Sequence, residues 1–110
     1  MQVTAAGNVY SFGVILLEIV TSRAAIDEGF GGGVVDLVNW VHGAAARGDS
    51  PEQIMDARLS SVRDGWKNQM LATLKLGMMC TDHSPQNRPT MSSVVGMLRE
   101  IRCPVDLFLA

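Results

Sequence analysis

"GNVYSFGVILLEIVTSR", Gly7 to Arg23, carries an apolar side chain at most positions between Val9 and Val20. Val9, Tyr10, Phe12, Val14, Ile15, Leu16, Leu17, Ile19 and Val20 leave almost no polar face on a helix, and a helix that is apolar all round belongs in the middle of a protein. The expected helix runs from about Val9 to Thr21, with Asn8 as its N-cap. Its most apolar run, "VILLEIV", is interrupted by Glu18 and is shorter than the ~20 residues a bilayer span requires, so no membrane span is expected.

Outward from this helix, Gly, Ser and Pro punctuate further helical patterns, and no stretch sustains period-2 alternation, so the expected class is all-α. "VDLVNWVHGAAA" places Leu37, Trp40, Val41 and Ala44 on one face behind Asp36 as cap. "SPEQIMD" opens a helix of a turn or two, with Ser50 at the N-cap, Pro51 at the first helical position and Gln53 as capping-box partner. From about Trp66 to Cys80, Met70, Leu74 and Met78 follow Trp66 in steps of four, with Leu71 beside them. Thr90 caps a last helix in which Met91, Val94, Val95, Leu98 and Ile101 repeat at helical spacing before Pro104. Gly96 weakens that helix by about 1 kcal/mol relative to alanine.

A chain of 110 residues, 47% hydrophobic and 18% charged, has the size and balance of one globular domain. Its net charge of −2 and its scattered Lys and Arg leave no electrostatic footprint for nucleic acid or an acidic membrane surface. The two cysteines, Cys80 and Cys103, lack CxxC spacing, which argues against a disulfide framework or a zinc site and for a reducing compartment. The start "MQVTAAGN" has neither the basic nor the apolar region of a signal peptide and reads as mid-domain sequence.

"GNVYSFGVILLEIVTSR", followed by "CTDHSPQNRPTM" and "VVGMLREI", resembles the end of a eukaryotic protein kinase domain. "DLVNWVH", "PEQIMDARLS" and "NRPTMSSVVGMLREI" are similar, more narrowly, to plant leucine-rich-repeat receptor-like serine/threonine kinases. The resemblance covers about residues 2–102 and implies the helical lower half of the kinase large lobe, with the apolar first helix as its buried pillar. It divides the chain into a C-terminal portion of a kinase-like domain, 1–102, and an apolar tail, 103–110. It also implies a cytoplasmic location, in the full-length family on the inner side of a plasma-membrane receptor.

The resemblance gives two residues a structural role. Arg88 matches the arginine that such kinases pair with the glutamate of the Ala-Pro-Glu motif closing the activation segment, a motif expected upstream of Met1. That missing upstream kinase segment is the first implied partner, alongside protein partners. With the glutamate absent, the guanidinium is expected to be solvated or held by local acceptors such as Asp82 or backbone carbonyls, and its loss to cost within about 0.5 kcal/mol. Asn8 stands where most kinases have an aspartate that hydrogen-bonds the catalytic-loop backbone; an amide keeps an acceptor oxygen but loses the charge. A helix cap alone is the competing reading of Asn8.

Phosphoryl transfer needs a Gly-rich loop over the phosphates, a lysine on them, a catalytic aspartate and a metal-binding aspartate. None is found here, so no catalytic, cofactor-binding or metal residue is assigned; ATP and Mg belong to the full-length family. "GFGGG" lacks the last glycine of GxGxxG and reads as a flexible inter-helix loop. His42 and His83 are isolated in sequence, and Asp27 and Glu28 read as a solvated loop rather than an acid–base pair. Met70, Met78, Met91 and Met97 fall on core faces, and Cys80 reads as a small buried hydrophobe. The tail "CPVDLFLA" departs from the family pattern; it reads as a docking strip, an aggregation hazard or an accident of delimitation. Two functions stay open: the distal part of a receptor-like kinase, itself inactive, or a non-catalytic helical interaction module or non-functional truncated product.

Overall fold

A computed structural model describes residues 4–30, 33–60 and 64–101; of these, the side chains of 27–30, 33–35, 59–60 and 64–65 are left undescribed. The architecture is helical, as expected. Helix α1 spans Ala5–Thr21, α2 Leu37–Ala46, α3 Pro51–Ile54, α4 Ala57–Ser60, α5 Asp64–Cys80 and α6 Met91–Glu100, with a 3-10 turn over Pro85–Asn87.

Between α1 and α2 the backbone forms an antiparallel hairpin, β1 (Ile26–Phe30) with β2 (Gly33–Asp36), pairing Ile26 with Asp36 and Phe30 with Gly33. A two-stranded ribbon here departs from the all-α expectation locally, and it replaces the flexible loop expected for "GFGGG". A single hairpin is marginal alone, and this one is anchored at its base, where Leu37 N–H donates to the Ala25 carbonyl at 2.9 Å. Positions 31 and 32 of that loop and the Asp27 and Glu28 side chains lie outside the described part.

Helix α1 starts one turn earlier than its apolar pattern. Thr4, in extended conformation, is the N-cap, its Oγ1 accepting from Gly7 N–H at 2.9 Å. The N-cap reading of Asn8 is therefore corrected: Asn8 sits inside the first turns, because Ala5 and Ala6 are good helix formers that carry no periodicity signal. Ser22 ends the helix in left-handed conformation (φ 58°), its N–H donating to the Glu18 carbonyl at 2.9 Å. Glu18, the lone charge in the apolar run, also closes the following turn: its carboxylate accepts from Ala25 N–H at 3.1 Å.

Two core clusters flank α1. Leu17 and Val20 pack with Leu37, Val38, Val41, Ala44, Ile54, Met55 and Leu74 on one side. Val9 and Leu16 pack with Leu76, Cys80 and Val94 on the other. Helices α1 and α5 cross at glycine: a Cβ on Gly13 would lie 2.5 Å from Cys80 Cβ, and one on Gly77 2.8 Å from Leu17 Cδ2. The α2 face, the Leu74-centred face of α5 and, on α6, Val94, Leu98 and Ile101 are buried or half-buried as their spacing predicts, but Val95, expected on the same face, is 42% exposed. Asp36 caps α2, accepting from Val38 N–H at 2.9 Å, and Thr90 caps α6, accepting from Ser93 N–H at 3.1 Å. Gln53 reaches back to Ser50 N–H at 2.8 Å at the start of α3. Met70, Met78 and Met97 are partly buried against the core, but Met91 is exposed, since the first residue of α6 projects beyond its contacts.

Candidate functional site: the Arg88 cleft and the open face of α1

Arg88 lies in the connection between α5 and α6, half-buried by the helices on either side. Asp82 and Pro85 set its position: Asp82 Oδ1 accepts from Ser84 N–H at 2.9 Å, and Arg88 N–H donates to the Pro85 carbonyl at 3.2 Å, closing the 3-10 turn. The side chain then crosses to α1. Its Nε donates to the Asp82 carbonyl at 2.8 Å, Nη1 donates to the Ala6 carbonyl at 3.1 Å, and the guanidinium carbon lies 4.8 Å from the centre of the Tyr10 ring. Backbone carbonyls and an aromatic face satisfy a cation in part. Among the described residues Arg88 has no carboxylate partner.

Arg88 forms one wall of a cleft of about 390 Å³ with Tyr10, Val38, Asn39, His42, Thr81 and His83. Two histidines that are isolated in sequence thus meet in space. His42 Nε2 and Thr81 Oγ1 lie 2.9 Å apart, and Thr81 Oγ1 donates to the Gly77 carbonyl at 2.8 Å. A hydroxyl has one proton, so with that proton on Gly77 it accepts from His42, which places the imidazole proton on Nε2. Sequence reasoning missed Thr81 and Tyr10, which have no motif of their own; only the fold brings them to Arg88. Among the described residues no group of three or more His, Cys, Asp or Glu side chains comes together as metal ligands would.

The second feature is a stripe along α1. Asn8, Ser11, Ile15 and Ile19 recur at helical spacing and are all exposed, polar at the amino end and apolar at the carboxyl end. Ile15 is 50% exposed and Ile19 59%. Asn8 makes no side-chain hydrogen bond with the described residues. No hydrogen bond joins it to Arg88, whose contacts on α1 are the Ala6 carbonyl and the Tyr10 ring. Cys80 is fully buried, and burial pushes its thiol up from the ordinary range, so it packs rather than reacts. At the other end of α1, Asp56 N–H donates to the Val20 carbonyl at 2.9 Å, while the Arg58 guanidinium holds the Asp56 carboxyl well below the usual carboxylate range.

No protein-family model matches the chain. Curated proteins do: the leucine-rich repeat receptor-like tyrosine-protein kinase PXC3 of Arabidopsis thaliana is 62% identical over 102 residues, 93% of this chain. The chain is a homologue of plant leucine-rich-repeat receptor-like kinases. The LRR receptor-like serine/threonine-protein kinase RGI5 of the same plant is 37% identical over 94% of the chain, and a probable inactive receptor kinase is 36% identical over 92%. The chain spans about a tenth of the length of PXC3 and RGI5, 11% and 10% respectively. Its sequence is thus similar to a segment of these kinases, and its helical architecture is consistent with part of a kinase large lobe. Among the described residues no helix is long and apolar enough to cross a membrane.

Proposed function

We propose that the chain is the distal helical part of a receptor-like serine/threonine protein kinase domain, residues 1–102, and that it scaffolds phosphoryl transfer rather than performing it. The observation that carries this reading is the exposed stripe of α1. A helix flanked by two core clusters still presents Ile15 and Ile19 to solvent, and on the same stripe stands Asn8, which the family resemblance directs toward the catalytic loop. A face polar at one end and apolar at the other suits a partner that brings backbone N–H groups to Asn8 and apolar side chains to Ile15 and Ile19.

Arg88 supports the same reading. Its guanidinium is held between α1 and the α5–α6 connection with no carboxylate partner among the described residues, which suits the arginine that receives the glutamate of an Ala-Pro-Glu motif. In the full-length family ATP and Mg are handled by a Gly-rich loop, a lysine and two aspartates, for which this sequence offers no candidates. The name of PXC3 assigns tyrosine to that protein and the name of RGI5 serine and threonine; the narrower sequence resemblance favours the second class.

The test is a chimaera in which this chain replaces the matching segment of the PXC3 kinase domain. A single cooperative melting transition, and magnesium-ATP affinity equal to that of the parent domain, is the expected result. A chimaera whose two parts melt separately contradicts the proposal.

A further inference from the structure

The cleft beside Arg88 is rich in hydrogen-bond donors that the described residues do not use. A guanidinium has five N–H donors. Arg88 commits Nε to the Asp82 carbonyl and one Nη1 proton to the Ala6 carbonyl, which leaves both protons of Nη2 and the second on Nη1. Tyr10, Asn39 and His83 line the same cleft, and their side chains make no hydrogen bond with the described residues. Asn39 and His83 are exposed, so the cleft is reached from solvent, and at about 390 Å³ it has room for a carboxylate side chain. No acid lines it. Asp36 and Asp82, the carboxylates next to it in sequence, accept from Val38 N–H and Ser84 N–H, both at 2.9 Å, and neither forms a wall of the cleft.

His42 adds a donor that depends on protonation. With its Nε2 proton on Thr81 Oγ1, the ring keeps Nδ1, which makes no hydrogen bond with the described residues. A proton taken up there adds a donor and a positive charge while the Thr81 bond stays in place. The groups that line the cleft with it are Tyr10 from α1, Thr81 just past α5, and His83 and Arg88 from the α5–α6 connection.

We infer that the cleft recognises carboxylate as a group, an extension that rests on Arg88 as the receiver of a glutamate: Arg88 binds the anion, His42 and His83 tighten it when protonated, and proton and carboxylate bind together. A guanidinium suits a carboxylate because its fork of donors matches the two oxygens. Histidine gains positive charge as pH falls, so carboxylate affinity should rise toward acid pH, and bound carboxylate should in turn favour the protonated rings.

The experiment adds acetate, which stays ionised above about pH 6, to the 110-residue chain, with acetamide and with sodium chloride at equal ionic strength as controls. The Arg88 Nε–H resonance and the ring resonances of His42 and His83 should move saturably with acetate alone. Affinity should rise about threefold or more from about pH 8 to about pH 6. His42→Gln together with His83→Gln should keep the Arg88 response and remove its pH dependence. No response to acetate, an equal response to acetamide or chloride, or a pH dependence that is absent at the outset or survives the double substitution would overturn the inference. In the PXC3 chimaera a resident glutamate should exclude acetate. Acetate that binds chain and chimaera alike would contradict the glutamate reading and leave the carboxylate site in place. Acetate that binds neither, with Arg88→Ala still costlier in the chimaera, would sink the site and leave the glutamate reading intact.

Discussion

The guanidinium of Arg88 reaches across 82 residues of sequence to the carbonyl of Ala6, Nη1 to O at 3.1 Å, and ties the start of α1 to the connection between α5 and α6. A backbone carbonyl has two lone pairs, so beside its helical bond it can accept this second donor. The expectation that Arg88 is cheap to lose rests on its being a surface charge. Half-burial, two carbonyl acceptors and the Tyr10 face argue instead for a loss of about 1–2 kcal/mol on Arg88→Ala in the 110-residue chain. Chemical denaturation followed by circular dichroism measures it, and a loss below about 0.5 kcal/mol, the level of ordinary surface substitutions, contradicts the bonding described here.

Gly13 should tolerate no side chain. A Cβ there meets Cys80 Cβ at 2.5 Å, Thr81 Cγ2 at 2.8 Å and the Gly77 carbonyl at 3.1 Å, so α1 and α5 must separate to admit it. Overpacking of this kind costs about 1–3 kcal/mol, and Gly13→Ala should lower the melting temperature accordingly. An unchanged melting temperature would mean that the two helices do not cross this closely.

Gly96 is the opposite case. Nothing lies within 4 Å of a Cβ placed on it, and it sits in the interior of α6. Gly96→Ala should stabilise the chain by about 0.5–1 kcal/mol through helix propensity; destabilisation would show that the exposed side of α6 is in contact with something.

Self-association should track the α1 stripe. Ile15 and Ile19 are neighbours four residues apart, and exposed apolar area promotes association. Ile15→Ser together with Ile19→Ser should move the chain toward monomer in sizing chromatography over a concentration series. Unaltered oligomers would place the sticky surface elsewhere.

Magnesium-ATP should not bind the 110-residue chain, because the groups that cradle phosphate and hold metal in kinases have no counterpart in this sequence. Calorimetric titration should be flat, and saturable micromolar binding would count against the proposed scaffolding role.

Helix identity was legible wherever a cap and a 3.6-residue period coincide, as at Asp36 with Leu37, Val41 and Ala44, or at Thr90 with Val94. The early start of α1 was not, because Thr4, Ala5 and Ala6 carry no apolar pattern to mark a helix. The hairpin escaped because Gly29 and Gly31 to Gly33 read as breakers, while its pairing depends on closure at Ala25 and Leu37 rather than on alternation. Of the candidate site, Arg88 could be found from its turn sequence; the Tyr10, His42 and Thr81 walls of its cleft are long-range juxtapositions with no local signature. The exposure of Ile15 and Ile19 contradicts what their hydropathy alone implies, and that contradiction points to a covering partner.

The most direct test of the central claim compares Arg88→Ala in the 110-residue chain with the same substitution in the PXC3 chimaera, by denaturation midpoints of each against its own Arg88 parent. Removing one member of a buried ion pair costs about 3–5 kcal/mol, so the account predicts a loss of that size in the chimaera against about 1–2 kcal/mol in the chain alone. Equal losses in the two would contradict it, since Arg88 would then be a turn residue and not half of an activation-segment ion pair.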